Sequence, residues 1–360
     1  MAQRRPLIVG LDDGYDYVKV VTQDRQEIFP TSVSLTKRHE IRFLDGGSQV
    51  DERHYDINGV VYAVGDDVED PSETRFDEFT FSDENFSLIL DAIRKVVPPG
   101  ATVHAFTGLP LSRIYTSSGR RREFVDDHKR DAWTRPARDP DGVTLPQIVD
   151  VTVMPQAVAA WFDFIVGPDL VSNEERKNRD TVVVDIGGRT TDVATFESGA
   201  FKPHRSTTLD QGMLDIAEIA NRAARDRKPG VTRLSHKIIR SAIDTGIFQL
   251  AGQLIDIREE ITKAKRQLAR RVLTHVMSIQ ARTTSANRQV LFVGGGATAL
   301  QTELREQLPD LMLLPAPQLA NARGMWKVGM LQEQVSMEAL LESNCPKEPA
   351  TPTRAKPVFS

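Results

Sequence analysis

Three times in this chain a short apolar run breaks off into an aspartate or a string of glycines. Leu7–Leu11 ends at Asp12-Asp-Gly14, Thr181–Val184 ends at Asp185-Ile-Gly187, and Gln289–Val293 runs into Gly294-Gly-Gly296. Apolar runs this short, closed by turn residues, read as buried strands. A glycine turn at a strand end offers backbone N–H groups to an anion with no Cβ in the way. The first two runs share a further pattern: strand, Asp-x-Gly turn, then a returning strand at Tyr17–Thr22 or Val193–Phe196. That repetition predicts two similar α/β lobes.

The remaining pattern fits. Asn58-Gly59 between β-rich flanks predicts a hairpin, and Thr102–Thr107 and Ile148–Met154 predict strands. Leu88, Ile89, Ala92 and Val96 share one helical face after Ser87, and a strand is expected near Phe201–Thr208. Helices are expected at about 212–225 and 251–280, the latter from Leu254, Ile257, Ile261, Ala264, Leu268, Val272 and Val276 at three- and four-residue steps. Another should run from the glycines at 294–296 to about 307.

Length and charge exclude several classes. A chain of 360 residues has room for about two domains. Its 46 Lys+Arg against 50 Asp+Glu give a net charge of −4, which provides no global attraction to DNA or an anionic membrane. The single cysteine, Cys345, excludes an internal disulfide framework and suits a reducing cytoplasm. No apolar run approaches the ~18 residues of a membrane helix, and Leu7–Leu11 is too short for a signal-peptide core. The expectation is a cytoplasmic protein without membrane attachment. Pro346, Pro349, Pro352 and Pro357 among small and charged residues predict a disordered tail over 343–360.

The chemistry sits in the three turns. In Val9-Gly-Leu-Asp-Asp-Gly-Tyr-Asp-Tyr-Val-Lys19, the strand delivers Asp12 to a turn through Asp13, Gly14 and Tyr15, and Lys19 returns on the next strand as a phosphate-neutralising charge. In Val183-Val-Asp-Ile-Gly-Gly-Arg-Thr-Thr-Asp192, Gly187, Gly188, Arg189, Thr190 and Thr191 form a polar, close-approach turn suited to a second phosphate. In Val290-Leu-Phe-Val-Gly-Gly-Gly-Ala-Thr298, Gly294, Gly295, Gly296 and Ala297 open a helix where backbone can lie flat against a purine or ribose. The Gly-x-Gly-x-x-Gly spacing of a dinucleotide site and the Gly-x-x-x-x-Gly-Lys-Ser/Thr phosphate loop are both missing.

In this order the turns resemble the two phosphate motifs and the adenosine motif of the actin/sugar kinase/heat-shock chaperone ATPase superfamily. Val153-Met-Pro-Gln-Ala-Val-Ala-Ala160 falls where that superfamily places a helix crossing between lobes. Within it the chain is similar to the ParM/StbA plasmid-segregation actins. The likeness spans nearly all of residues 7–332 and includes Thr107-Gly-Leu-Pro-Leu111, Thr208-Leu-Asp-Gln-Gly212 and Asn321-Ala-Arg-Gly-Met325.

The resemblance implies an actin-like two-lobed α/β ATPase fold, with duplicated ribonuclease H-like domains around a nucleotide cleft. Domain I would be 1–158 plus 325–342 and domain II 159–324. It implies ATP or GTP with Mg²⁺, held by Asp12 and Asp185 largely through water, and nucleotide contacts from Asp210 and Gly212. Gln156, Asp185 and Asp12 are the implied catalytic residues. Gln156 departs from the glutamate of ParM-type proteins, and an amide can orient water but is no general base. The implied function is a dynamic filament of head-to-tail subunits that segregates plasmid DNA through a DNA-binding adaptor, with no direct DNA contact. A small-molecule kinase, a chaperone-like ATPase and a cytoskeletal scaffold are the alternatives on this fold.

Two charged stretches complete the reading. Residues 66–84 carry Asp66, Asp67, Glu69, Asp70, Glu73, Asp77, Glu78, Asp83 and Glu84 against Arg75, and residues 222–240 carry Arg222, Arg225, Arg227, Lys228, Arg233, Lys237 and Arg240 against Asp226. Complementary patches on opposite lobes would suit a heterologous, filament-forming contact.

Overall fold

In the computed structural model, the described residues are 5–35, 52–66, 68, 71–228, 234–280 and 288–344. Two sheets dominate. One runs in the order Gln26–Pro30, Tyr17–Val21, Leu7–Asp13, Thr102–Leu109, Gln147–Pro155. The other runs Ala200–Phe201, Thr191–Glu197, Thr181–Ile186, Gln289–Val293, Met312–Leu313, with Thr207–Leu209 also paired to Thr191–Glu197. In each, the central strand pairs antiparallel with the strand after its Asp-x-Gly turn and parallel with a later one. The internal duplication is therefore one of topology. Thr181–Ile186 is buried at all six positions, as befits a central strand covered on both faces.

A four-stranded sheet (Val33–Leu35, Val60–Val64, Arg53–Ile57, Ala137–Arg138) flanks the first lobe. Its hairpin turns at Asn58 (φ 55°) and Gly59 (φ 83°), the left-handed pair that Asn-Gly favours. Helix Asp83–Val96 starts where Ser82 Oγ accepts the Asn85 N–H at 3.2 Å, earlier than its apolar stripe indicates. Asp83 and Glu84 in its first turn and Arg94 and Lys95 in its last complement its dipole.

Helices Gln156–Ile165 and Ala320–Asn344 pack together between the sheets, and the latter lies along Leu7–Asp13. Their approach requires glycine. A Cβ on Gly324 would stand 1.7 Å from the Ala159 carbonyl oxygen, and one on Gly10 would stand 2.1 Å from that of Ala322.

Two expected helices need correction, and one helix is additional to them. The helix placed at 251–280 begins at Arg258, because Ala251 (φ 49°) and Gly252 (φ 80°) turn a hairpin between Ile247–Leu250 and Gln253–Asp256. Leu254 is 73% exposed there while Ile255 is buried, a strand alternation that the helical count absorbed. The helix after Gly294 is broken at Leu300 into Gly295–Ala299 and Gln301–Gln307. Helix His236–Thr245 was not anticipated. Among the described residues no helix is long and apolar enough to cross a membrane. Of the tail expected over 343–360, Ser343 and Asn344 instead continue helix Ala320–Asn344, and residues 345–360 lie outside the described residues.

Candidate functional site

The carboxyl ends of both central strands, Leu7–Asp13 and Thr181–Ile186, meet at one cleft between the lobes, with about 1210 Å³ of empty volume, part of it open to solvent. All three glycine turns reach it. Asp12, Gly14, Tyr15 and Lys19 line it from the first lobe, and Gly187, Gly188, Arg189 and Thr190 from the second. Gly294, Gly295 and Gly296 complete one wall, and Gln156 and Asp185 lie within. Gly294 has φ 86°, and a Cβ there would stand 2.4 Å from the Ile186 carbonyl oxygen, so glycine is required for both conformation and space.

Two buried carboxylates sit at the centre. Asp12 is 3% exposed, with Lys19 Nζ at 3.1 Å from Oδ2 and Gln156 Nε2 donating to Oδ1 at 3.1 Å. Asp185 is 5% exposed and accepts from Asn321 Nδ2 at 2.8 Å. Burial first, and the charge of Asp12 second, push the Asp185 carboxyl up to about 6. Helices Gln156–Ile165 and Ala320–Asn344 both begin here, and helix N-termini favour negative charge.

These residues fit a hydrated divalent cation with a polyphosphate. The donors are all oxygen, as Mg²⁺ prefers, and two carboxylates suffice for a cation that keeps its waters and shares phosphate oxygens. Asn321 lines the same cleft, and its Oδ1 is a buried acceptor unpaired among the described residues.

Five expected contacts differ from the sequence reading. Asp13 borders the cleft, but its side chain turns into the first lobe, where Oδ2 pairs with Lys129 Nζ at 2.5 Å and Oδ1 accepts from Thr107 Oγ1 at 3.1 Å. Thr191 is fully buried and donates to the Gln211 carbonyl at 2.9 Å. Ala297 is fully buried in the core of the second lobe. Asp210 is not among the residues that line the cleft; it lines an adjacent pocket and pairs with Arg189 at 3.3 Å. Gly212 supports the second turn from below: its own Cβ would stand 2.4 Å from the Gly188 carbonyl oxygen, and the next two N–H groups bond Gly187 and Gly188. Register explains Asp13 and Thr191, since strand residues alternate faces and only every second one can meet the ligand.

Arg189 also differs from a simple phosphate ligand. Its guanidinium bonds Asp77 of the first lobe at 2.6 Å, which holds the Asp77 carboxyl below its ordinary value. Arg75 and Asp215 pair across the lobes at 2.6 Å. Part of the acidic stretch is thus committed to bridging the cleft, and Asp67, Glu69 and Asp70 lie outside the described residues, as does Arg233. Arg240 lines the cleft and reaches the Tyr17 hydroxyl at 3.3 Å, and Arg225 pairs with Glu218.

Helix His236–Thr245 supplies the wall that sequence reading missed. His236 Nε2 lies 2.8 Å from Asp16 Oδ1, and Ile239 and Ile243 add an apolar patch beside the glycines of the third turn. Its apolar spacing was legible, but nothing local marks a helix as bordering a cleft. Gln318 and Thr298 also line this end.

Two family models match the sequence in tandem. The N-terminal domain of actin-like proteins covers residues 10–158, and the C-terminal domain of the archaeal actin homologue MreB-like covers residues 183–306. No curated protein matches. Among solved structures, a non-polymerisable quadruple mutant of pCBH ParM is similar with a TM-score of 0.73 at 22% identity, over 91% of this chain and 100% of that one. A 15-stranded ParM filament from Clostridium botulinum gives 0.70 at 22% identity, over 91% and 100%. The archaeal actin homologue Ta0583 in complex with ADP gives 0.68 at 21% identity, over 90% and 99%. Identities this low speak for fold. Two actin-like domain models in chain order, on two sheets of matching topology that meet at one cleft, identify the chain as an actin-like protein with the fold of the ParM group.

Proposed function

We propose that the chain is an ATPase that binds ATP with Mg²⁺ between its lobes, hydrolyses it, and polymerises head to tail under control of the bound nucleotide. The observation that carries this reading is the convergence of three glycine turns and the Asp12–Asp185 pair on one cleft. In the proposed division, lobe I is 1–158 plus 325–342 and lobe II is 159–324. The turn at Gly14 and the turn at Gly187–Gly188 would cradle the phosphates with backbone N–H groups, and Gly294–Gly296 would floor the nucleoside.

Bound Mg²⁺ would neutralise charge on the phosphate oxygens. Asp12 and Asp185 would hold its waters, and Lys19, 3.1 Å from Asp12, adds a positive charge on the same side. Gln156 Nε2 is committed to Asp12, which leaves its Oε1 to accept from a water and orient it. The amide cannot take that water's proton, so rate enhancement would rest on positioning and on electrostatic stabilisation. Related folds occur in a ParM filament and in an ADP complex, which supports self-assembly and adenine nucleotide as the first chemistry to test. The further proposal is that the filaments segregate plasmid DNA through a DNA-binding adaptor.

The test is right-angle light scattering of the purified protein on addition of ATP and Mg²⁺, with phosphate release followed in parallel. A rise in scattering that decays as phosphate appears supports the proposal. Phosphate release with flat scattering across a concentration series removes the filament and leaves an ATPase.

A further inference from the structure

Asn321 stands between the two central carboxylates. It occupies the first turn of helix Ala320–Asn344 and is 4% exposed. Its Nδ2 lies 2.8 Å from Asp185 Oδ2 and 3.5 Å from Asp12 Oδ2, so one amide touches a carboxylate from each lobe's central strand. Ionised carboxylates only accept, which fixes the amide's orientation: the nitrogen must face them, and flipping it would set oxygen against oxygen. The oxygen that remains, Oδ1, is buried and has no partner among the described residues, yet the residue lines the cleft.

A purely structural tie between the carboxylates needs the donor alone. A buried acceptor left unmade is costly, and buried polar atoms in native proteins almost always find a partner. A donor that arrives with the ligand would supply that partner. Metal-bound waters are strong donors, and the carboxylates that would hold such a hydrated cation are the ones Asn321 already touches.

We infer that Asn321 is a positioning residue for the divalent-cation site: Nδ2 holds Asp185 and Asp12 in place, and Oδ1 accepts a hydrogen bond from a water in the cation's shell. This rests on the nucleotide·Mg²⁺ reading above. Asn321 thereby makes helix Ala320–Asn344, and not only the two strand ends, part of the cation site. Because that helix also packs along strand Leu7–Asp13, the cation shell and the seam between the lobes become mechanically linked.

The experiment titrates Mg²⁺ against binding of a fluorescent ADP analogue, at protein concentrations where scattering shows monomer. Wild type, Asn321→Ala and Asn321→Ser are compared, with binding in EDTA and thermal melting measured for each. Loss of an outer-shell partner commonly costs about 10- to 100-fold in metal affinity, and that shift of the Mg²⁺ midpoint is expected for Asn321→Ala, with nucleotide affinity in EDTA nearly unchanged. Serine is too short to span from Asp185 to a water, so an intermediate shift of at least about threefold is expected on the same grounds. Should the alanine variant fail to fold, the serine variant decides alone. A midpoint within about twofold of wild type in each variant that folds, even with a lowered melting temperature, overturns the inference and leaves the nucleotide reading standing. A wild type that binds no nucleotide at any Mg²⁺ concentration overturns both, and that result is read without any variant.

Discussion

The pair between Lys129 and Asp13 offers a stability test independent of any ligand. Both side chains are fully buried, with Nζ 2.5 Å from Oδ2, and Lys129 also donates to the Thr80 carbonyl at 2.5 Å and sits 4.1 Å from the centre of the Trp133 ring. Burial pushes the Asp13 carboxyl up and the Lys129 amine down, and each is opposed by its partner. Lys129→Met keeps much of the apolar stem against Trp133 but strands Asp13. Removing one partner of a buried pair costs about 3–5 kcal/mol. At roughly 2–4 °C per kcal/mol for a lobe of this size, the melting temperature should fall by about 6–20 °C. With the lysine gone, the burial-driven rise of Asp13 is unopposed, so the folded state binds a proton more tightly than the unfolded one. The deficit should then shrink as pH falls and widen as pH rises. Adding Asp13→Asn to Lys129→Met removes the stranded charge and should recover more than half the loss. Melting followed by circular dichroism between pH 5 and pH 8 reads all three chains. A loss under about 1 kcal/mol, the range of exposed pairs, or a double variant no better than the single, would refute the reasoning.

Other perturbations have definite expected outcomes. Asp192 is buried, accepts from the Leu111 N–H at 3.2 Å and from the Thr208 hydroxyl, and burial pushes its carboxyl from 3.8 up to about 8. Its folded value exceeds its unfolded one, so its contribution is full below about pH 4 and is lost as pH rises through about 8; Asp192→Asn should flatten the fall in melting temperature over that span. Gly294→Ala adds a Cβ 2.4 Å from the Ile186 carbonyl oxygen at φ 86°, and should cost about 1–3 kcal/mol and abolish binding of a fluorescent ADP analogue in titration. Gly324→Ala should force apart the two helices between the lobes, with a loss of at least about 1–3 kcal/mol in urea unfolding. Arg189→Ala removes the bond to Asp77 and should raise the protease sensitivity of the segment around residue 77, while circular dichroism at 25 °C stays unchanged.

How much of this was legible beforehand depends on whether a feature is local. Strand-to-glycine turns are short-range statements about backbone: Gly14, Gly187–Gly188 and Gly294–Gly296 declare tight, ligand-facing turns wherever the chain folds, and the structure brings all three to one cleft. The Asn58-Gly59 hairpin was equally readable, because φ above zero at two successive positions is a local demand. Side-chain direction was not. Asp13 looked like its neighbour Asp12, but strand alternation sends it toward Lys129, 116 residues away in sequence. The Ala251-Gly252 turn was overlooked because three- and four-residue apolar steps continue through Leu254 and Ile257 by coincidence.

The sequence by itself determined the two-lobed plan and the order of the turns, since both follow from apolar run length and local backbone chemistry, while the family resemblance pointed to Asp12 and Asp185 as the central carboxylates. Only the tertiary structure decided which groups face one another across the cleft. His236 meeting Asp16, Arg189 meeting Asp77 and Asn321 joining Asp12 to Asp185 bring together residues 112 to 309 positions apart. Such pairings are set by how the sheets and the helices between them pack, and packing is a property of the assembled surfaces that no local stretch of chain encodes.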